Sequence, residues 1–246
     1  MVRVLSIDWD YFVEENPLLD WGHREEHLFL EMMWQVRSTR LILDAENEPA
    51  VIPVDLAEVV PFRGSESMIM RLPCIAGDYQ IAVAESHLAI LQLLKGQSNI
   101  HIVNIDAHHD LGYGIYDPYY FAMREPCCGS WGHFLLTEDR VKSWTQIYPA
   151  WRRKYPEQTK KKGTFPEWTK KKLGAAFKVS TQEPLEVVSW RSVDYVFLCR
   201  SGCWVPPNYD QRFNQFCRML GSSSSGLPVR KLAEASTQAS QAGEQA

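Results

Sequence analysis

The sequence predicts an α/β fold, a three-layer α/β/α arrangement around a mostly parallel sheet, and three observations carry that expectation. Val2 to Ile7, Ile100 to Ile105 and Val193 to Cys199 are short apolar runs rich in β-branched residues, the pattern of strands buried on both faces. Glu26 to Val36 and Glu85 to Lys95 lie between them with helix-compatible apolar spacing. Each strand run also ends in polar residues, and in parallel α/β sheets the chemistry collects at the carboxyl edge.

Each element has its own justification. Val2 to Ile7 ends at Asp8-Trp9-Asp10. The segment Glu48 to Pro61, rich in Val and Pro, reads as an additional strand pair. In the second helix Leu88, Ile90, Leu91 and Leu94 fall on one face until Lys95-Gly96 stops it. Tyr148 to Lys172 holds too much Pro, Lys and Gln for a core element, and residues 148–175 read as a basic insertion over the sheet. After Leu220 the chain turns small and polar, so residues 221–246 read as a disordered tail behind a single catalytic domain, residues 1–220.

A chain of 246 residues that is 45% hydrophobic can bury one full core. It has no apolar run long enough to cross a membrane, and Asp8 and Asp10 interrupt the start before a signal-like run could finish, so a cytoplasmic location is expected. Cys74, Cys127, Cys128, Cys199, Cys203 and Cys217 lack the spacing of a disulfide framework and read as reduced thiols. Cys199 and Cys203 suggest a zinc cluster, but no second cysteine-rich half completes one. Net charge is −4, yet residues 151–175 carry nine Lys and Arg against Glu157 and Glu167. No nucleic-acid motif accompanies this patch, which suits a solvated face or an arm that attracts an acidic peptide leader.

The chemistry concentrates in Asp106-Ala107-His108-His109-Asp110. If the chain stays extended past its strand, Asp106, His108 and Asp110 face one way, because strand side chains alternate with period two. Asp8 and Asp10 obey the same arithmetic, with Trp9 turned away. Five ligands from two strand ends exceed the three protein ligands of one catalytic zinc, so two metals are the natural solution. Oxygen-rich ligation without thiolate favours Mn²⁺ on softness.

These residues resemble a family. Asn104 to Leu111, NIDAHHDL, is similar to the Asp-Ala-His-x-Asp signature of arginases and related ureohydrolases, and Ser6 to Phe12, SIDWDYF, resembles their Ser-x-Asp-x-Asp motif. Glu85 to Leu91, ESHLAIL, is similar to the family's Gly-Asp-His-Ser segment and offers His87 as a sixth ligand. The motif order is permuted, since the Asp-x-Asp strand comes first here and late in ordinary arginases; ligands need only converge in space. With the later CCGSWGHFLL and DYVFLCRSGCWVPP, the chain looks most like small peptide arginases, which convert arginine residues of ribosomally made peptides to ornithine.

The resemblance implies that Asp106 and Asp8 bridge two Mn²⁺ ions, with His87 and Asp110 completing one and His108 and Asp10 the other. Such a pair lowers the pKa of a shared water, giving a nucleophile for the guanidinium carbon and releasing urea. The leaving amine needs a proton, for which His133 and His109 are the candidates. A planar cationic substrate calls for forked carboxylates, and Glu14, Glu15, Asp20 and Glu85 lie near the ligands in sequence. The implied partner is an arginine-containing precursor peptide; nucleic acid and membrane are not. A zinc-dependent amide deacetylase of the same general fold, or a non-catalytic peptide- or nucleic-acid-binding module, are the competing readings.

Overall fold

Asp8, at the end of the first strand, sits near the middle of the main sheet, and the rest of the fold is arranged about that strand. The computed structural model describes residues 1–14, 27–43, 49–64, 79–112, 126–154, 167–181, 193–221 and 227–228. In chain order its strands are β1 (Val2–Asp8), β2 (Thr39–Leu43), β3 (Pro49–Pro53), β4 (Gln80–Ala84), β5 (Ile100–Ile105), β6 (Val141–Ile147), β7 (Phe177–Ser180) and β8 (Tyr195–Cys199). Its helices are α1 (His27–Arg37), α2 (Leu56–Val59), α3 (Ile90–Leu93), α4 (Trp131–Thr137), α5 (Glu167–Leu173) and α6 (Asp210–Met219). Six strands form one sheet in the order β4-β8-β1-β5-β6-β7, every pairing parallel, while β2 and β3 make a separate antiparallel pair. This is an α/β fold.

The central strands are apolar on both faces because both are covered. Leu5, Ile7, Val103, Ile105, Val196 and Leu198 face one layer, where α6 contributes Phe213, Phe216 and Cys217. Phe213, Phe216, Cys217 and Leu220 recur at helical spacing, so one stripe of α6 is buried while Arg212 and Arg218 point outward. Val4, Ile100, Ile102, Trp144 and Phe197 face the other layer, covered by Ile90 and Leu94 and by Trp131, Leu135 and Leu136 of α4. A third cluster joins Leu30, Met33 and Trp34 of α1 to Leu56 and Cys203. Among the described residues no helix is long and apolar enough to cross a membrane.

Two segments differ from the sequence reading. Between Glu48 and Pro61 only Pro49–Pro53 is a strand, and its partner is Thr39–Leu43. The remainder turns into α2, because the Asp55 side chain accepts a hydrogen bond from the Ala57 amide at 2.8 Å and caps a helix. The basic stretch contributes α5, the helical crossover between the parallel strands β6 and β7, with Thr169 fully buried and Trp151 donating to the Tyr11 carbonyl at 3.1 Å. Within residues 221–246, Leu227 pairs with Asn214 through two bonds of 2.7 and 3.0 Å, and the Pro228 carbonyl accepts from Arg200.

Candidate metal centre

Strand register alone sets out two rows of side chains on one face of the sheet. Asp8 is level with Cys199, Cys199 is level with Ala84, and Asp106 lies one step past the Ile7–Ile105 pair, so Ala84, Cys199, Asp8 and Asp106 line the carboxyl rim. One pleat below run Ala82, Phe197, Ser6, Asn104 and Gln146. Period-two alternation turns both rows toward the layer of α3 and α4. Polar residues in the lower row of an otherwise apolar sheet are there to hold the upper one.

Beyond the rim the chain does not stay extended, and convergence arises from tight turns instead. Trp9–Phe12 is a 3₁₀ turn capped by Asp8, whose Oδ1 accepts from the Asp10 amide at 3.2 Å. Trp9 goes the opposite way, into the core with Phe12, Phe213 and Phe216. After β5 the His108 amide donates to Asp106 Oδ1 at 2.6 Å, folding the chain back, and Asp110 takes φ 52°. That left-handed conformation is one that Asp tolerates better than most residues.

The six residues meet. His87 Nδ1 lies 3.0 Å from Asp8 Oδ2, 3.3 Å from Asp106 Oδ2 and 2.9 Å from Asp110 Oδ2. His108 Nδ1 is 2.7 Å from Asp10 Oδ2, and the Ala107 amide donates to Asp10 Oδ1 at 3.2 Å. Two ligand triads result, Asp10–Asp106–His108 and His87–Asp106–Asp110, each with its donor atoms within 4.8 Å of one another, and Asp106 belongs to both. These buried groups could hold a metal ion. The donor set fits hard divalent cations, being four carboxylates and two imidazoles. Among the described residues no lysine or arginine forms an ion pair with any of the four carboxylates, so their charge calls for another cation.

Residues that sequence reasoning missed orient the ligands. Ser6 Oγ is 2.6 Å from His87 Nε2, fixing the ring while Phe197 stacks on it at 5.5 Å. Trp131 Nε1 donates to Asp110 Oδ2 at 2.7 Å, and Asn104 Nδ2 donates to Asp106 Oδ2 at 3.0 Å. Gln146 accepts from Asn104 and Trp144, and donates to the His108 carbonyl at 2.8 Å. Such outer partners lock ligand rotamers and raise ligand basicity. Their signal in the sequence was a polar residue two positions before a ligand inside an apolar strand, as in Ser6 before Asp8 and Asn104 before Asp106.

Electrostatics follow from this crowding. Burial raises the Asp8 carboxyl well above its usual range, and the charges of Asp10 and Asp106 push it further. Burial and then Asp106 raise Asp10, and burial and then Asp110 raise Asp106. Burial works against charge on His87, yet hydrogen bonds to Asp106, Asp110 and Asp8 outweigh it and hold the imidazole protonated well above its ordinary value. Five of the six side chains are at most 6% exposed while His108 is 15% exposed, so solvent reaches the cluster past His108, beside the Trp204 ring at 4.7 Å.

The remaining candidates lie differently. Glu14 Oε2 accepts from Arg63 Nε at 2.5 Å. Glu85 Oε2 accepts from Nε of the buried Arg200 at 2.9 Å and from its Nη2, so both carboxylates already hold an arginine of this chain. Glu15 and Asp20 lie outside the described residues. His109 is buried, its Nδ1 accepting from the Leu111 amide at 3.0 Å. His133 is half-buried on α4, with its pKa lowered by burial and by Lys172. It leaves that helix roughly 200° around from Trp131, away from the face that bonds Asp110.

No protein-family model, curated protein or solved structure matches the chain.

Proposed function

We propose that this protein is a hydrolase with a two-cation centre that cleaves a guanidinium group, converting arginine residues of a peptide to ornithine with release of urea. The observation that supports it best is the sharing of Asp106 between two ligand triads, with Asp8 against the same imidazole. Asp106 and Asp8 would face both cations, His87 and Asp110 one, and His108 and Asp10 the other. When bound, two divalent cations supply a water-derived nucleophile near neutral pH and polarise the group it attacks. Manganese suits the oxygen-rich set, and the resemblance of the three motifs to ureohydrolases names the substrate.

The chain's own residues do the positioning. Trp131, Asn104 and Ser6 hold Asp110, Asp106 and His87 in place. The flank at His108 and Trp204 admits the substrate, and burial of the other five ligands keeps bulk water out. With the guanidinium carbon next to this cluster, addition of one water and cleavage of one C–N bond give urea and a primary amine.

The test is incubation of the protein with Mn²⁺ and either free arginine or an arginine-containing peptide, followed by mass spectrometry. A peptide mass lower by CH₂N₂, with matching urea, is the expected result. Asp106→Asn, isosteric with the native residue, should abolish it while circular dichroism stays native. Undiminished urea release by that variant would refute the site. One tightly bound zinc per chain, with full activity on an acetylated peptide, would replace this reading by the deacetylase.

A further inference from the structure

The rim row contains one metal-binding atom that the two triads leave aside. Cys199 is level with Asp8 in the parallel register of β8 and β1, on the same face, and completely buried. Cys199, Asp8 and His87 offer donor atoms that all lie within 4.8 Å of one another. The thiol donates weakly to the Glu85 carbonyl at 3.4 Å, and Cys199 is not in a disulfide. It stands beside an oxygen and a nitrogen donor of the candidate centre.

We propose that Cys199 gives this centre a soft flank, a Cys–His–Asp subsite at which Zn²⁺ or Cd²⁺ binds in competition with manganese. The inference rests on the cluster being a metal centre, and not on the reaction assigned to it. Thiolate, imidazole and carboxylate on three corners match the tetrahedral preference of zinc with one position open, and thiolate selects zinc and cadmium over manganese. Binding replaces the S–H bond by a sulfur–metal bond: the thiol proton leaves to solvent, and the hydrogen bond to Glu85 is given up. Because Asp8 and His87 also serve the two-cation arrangement, a cation drawn toward sulfur withdraws both. Excess zinc or cadmium therefore inhibits whatever activity manganese supports.

Cadmium is the direct probe, since its thiolate complexes have an ultraviolet charge-transfer band that oxygen and nitrogen ligation lacks. Titration of the native chain should raise this band to one equivalent, and X-ray absorption should count one sulfur around the ion. Cys199→Ser should lose the band and keep Mn²⁺ uptake measured by electron paramagnetic resonance, whereas Cys127→Ser/Cys128→Ser should retain it. A sulfur-free shell in the native chain, or a band that survives Cys199→Ser or disappears with the double variant, overturns the proposal. The native-chain sulfur count decides the matter even where Cys199→Ser does not fold. Failure of Mn²⁺ uptake or of arginine turnover in the native chain is read separately and tests the metal centre and its reaction.

Discussion

At the scale of single residues, the candidate centre depends on side chains outside its Asp/His cluster. Trp131 is the sharpest case, because its indole N–H holds Asp110 by a bond of 2.7 Å between two buried side chains. Trp131→Phe removes the donor together with part of a buried ring that packs on His87 and Trp144, so a urea melt of the variant accompanies the affinity measurement. Losing an outer partner of this kind typically costs about 10- to 100-fold in metal affinity. Competition against a graded series of chelators measures the change. Affinity equal to that of the native chain would mean that Asp110 is held by its backbone turn alone. Much of the buried Asp/His cluster that could hold a metal ion was legible at this scale: Asp8, Asp10, Asp106, His108 and Asp110 follow apolar strands, and His87 followed from the resemblance. Trp131, Gln146 and Cys199 were not, since their roles depend on which helix and strands pack beside the cluster, and a single sequence does not encode that locally.

At the scale of elements, the positions of α4 and β6 are coupled through one glycine. A Cβ on Gly132 would lie 2.5 and 2.8 Å from the Trp144 ring and 2.9 Å from Leu111, both buried and rigid. Alanine is better in a helix by about 1 kcal/mol, but overpacking a tight core costs about 1 to 3 kcal/mol. With aromatic ring atoms as the obstacle the second effect wins, and Gly132→Ala should destabilise by about 1 to 2 kcal/mol. Urea unfolding followed by fluorescence checks this, and an unchanged or higher midpoint would sink it. The same element shows why the sequence was harder to read away from the centre of the sheet. Val2 to Ile7, Ile100 to Ile105 and the run ending at Cys199 are the central strands, and burial on both faces goes with their predominantly apolar, β-branched composition. Gln80–Ala84 and Phe177–Ser180 are edge strands, and Val141–Ile147 carries Lys142, Ser143 and Gln146, so none presents that signal.

At the scale of the whole molecule, the buried carboxyls of Asp8, Asp10 and Asp106 and the protonated imidazole of His87 tie stability to pH. In the metal-free chain, Asp8, Asp10 and Asp106 bind protons more tightly folded than unfolded. Their contribution is fully present below the unfolded pKa of about 4 and declines as pH rises toward the folded values. His87 acts in the same direction: its contribution is complete below about 6.5 and is lost as pH passes the raised folded value. The chelated chain should therefore lose stability as pH rises above about 4, and lose more as it rises beyond about 6.5, while bound cations, which favour the deprotonated ligands, offset the loss. Thermal melts with chelator and with saturating Mn²⁺ should diverge with rising pH; a constant gap would contradict the electrostatic account.

The strand order has a kinetic corollary. β4, which leads into His87, meets β1 only through β8, the last strand in sequence among the described residues, which lies between them. In the finished sheet β4 is seated against β1 only through β8, so the juxtaposition of His87 with Asp8 and Asp106 depends on two long-range strand pairings and is expected to form after the transition state. Saturating cation should then leave the refolding arm of a chevron almost unmoved and lower the unfolding arm, making the ion a brake on opening rather than a seed for assembly.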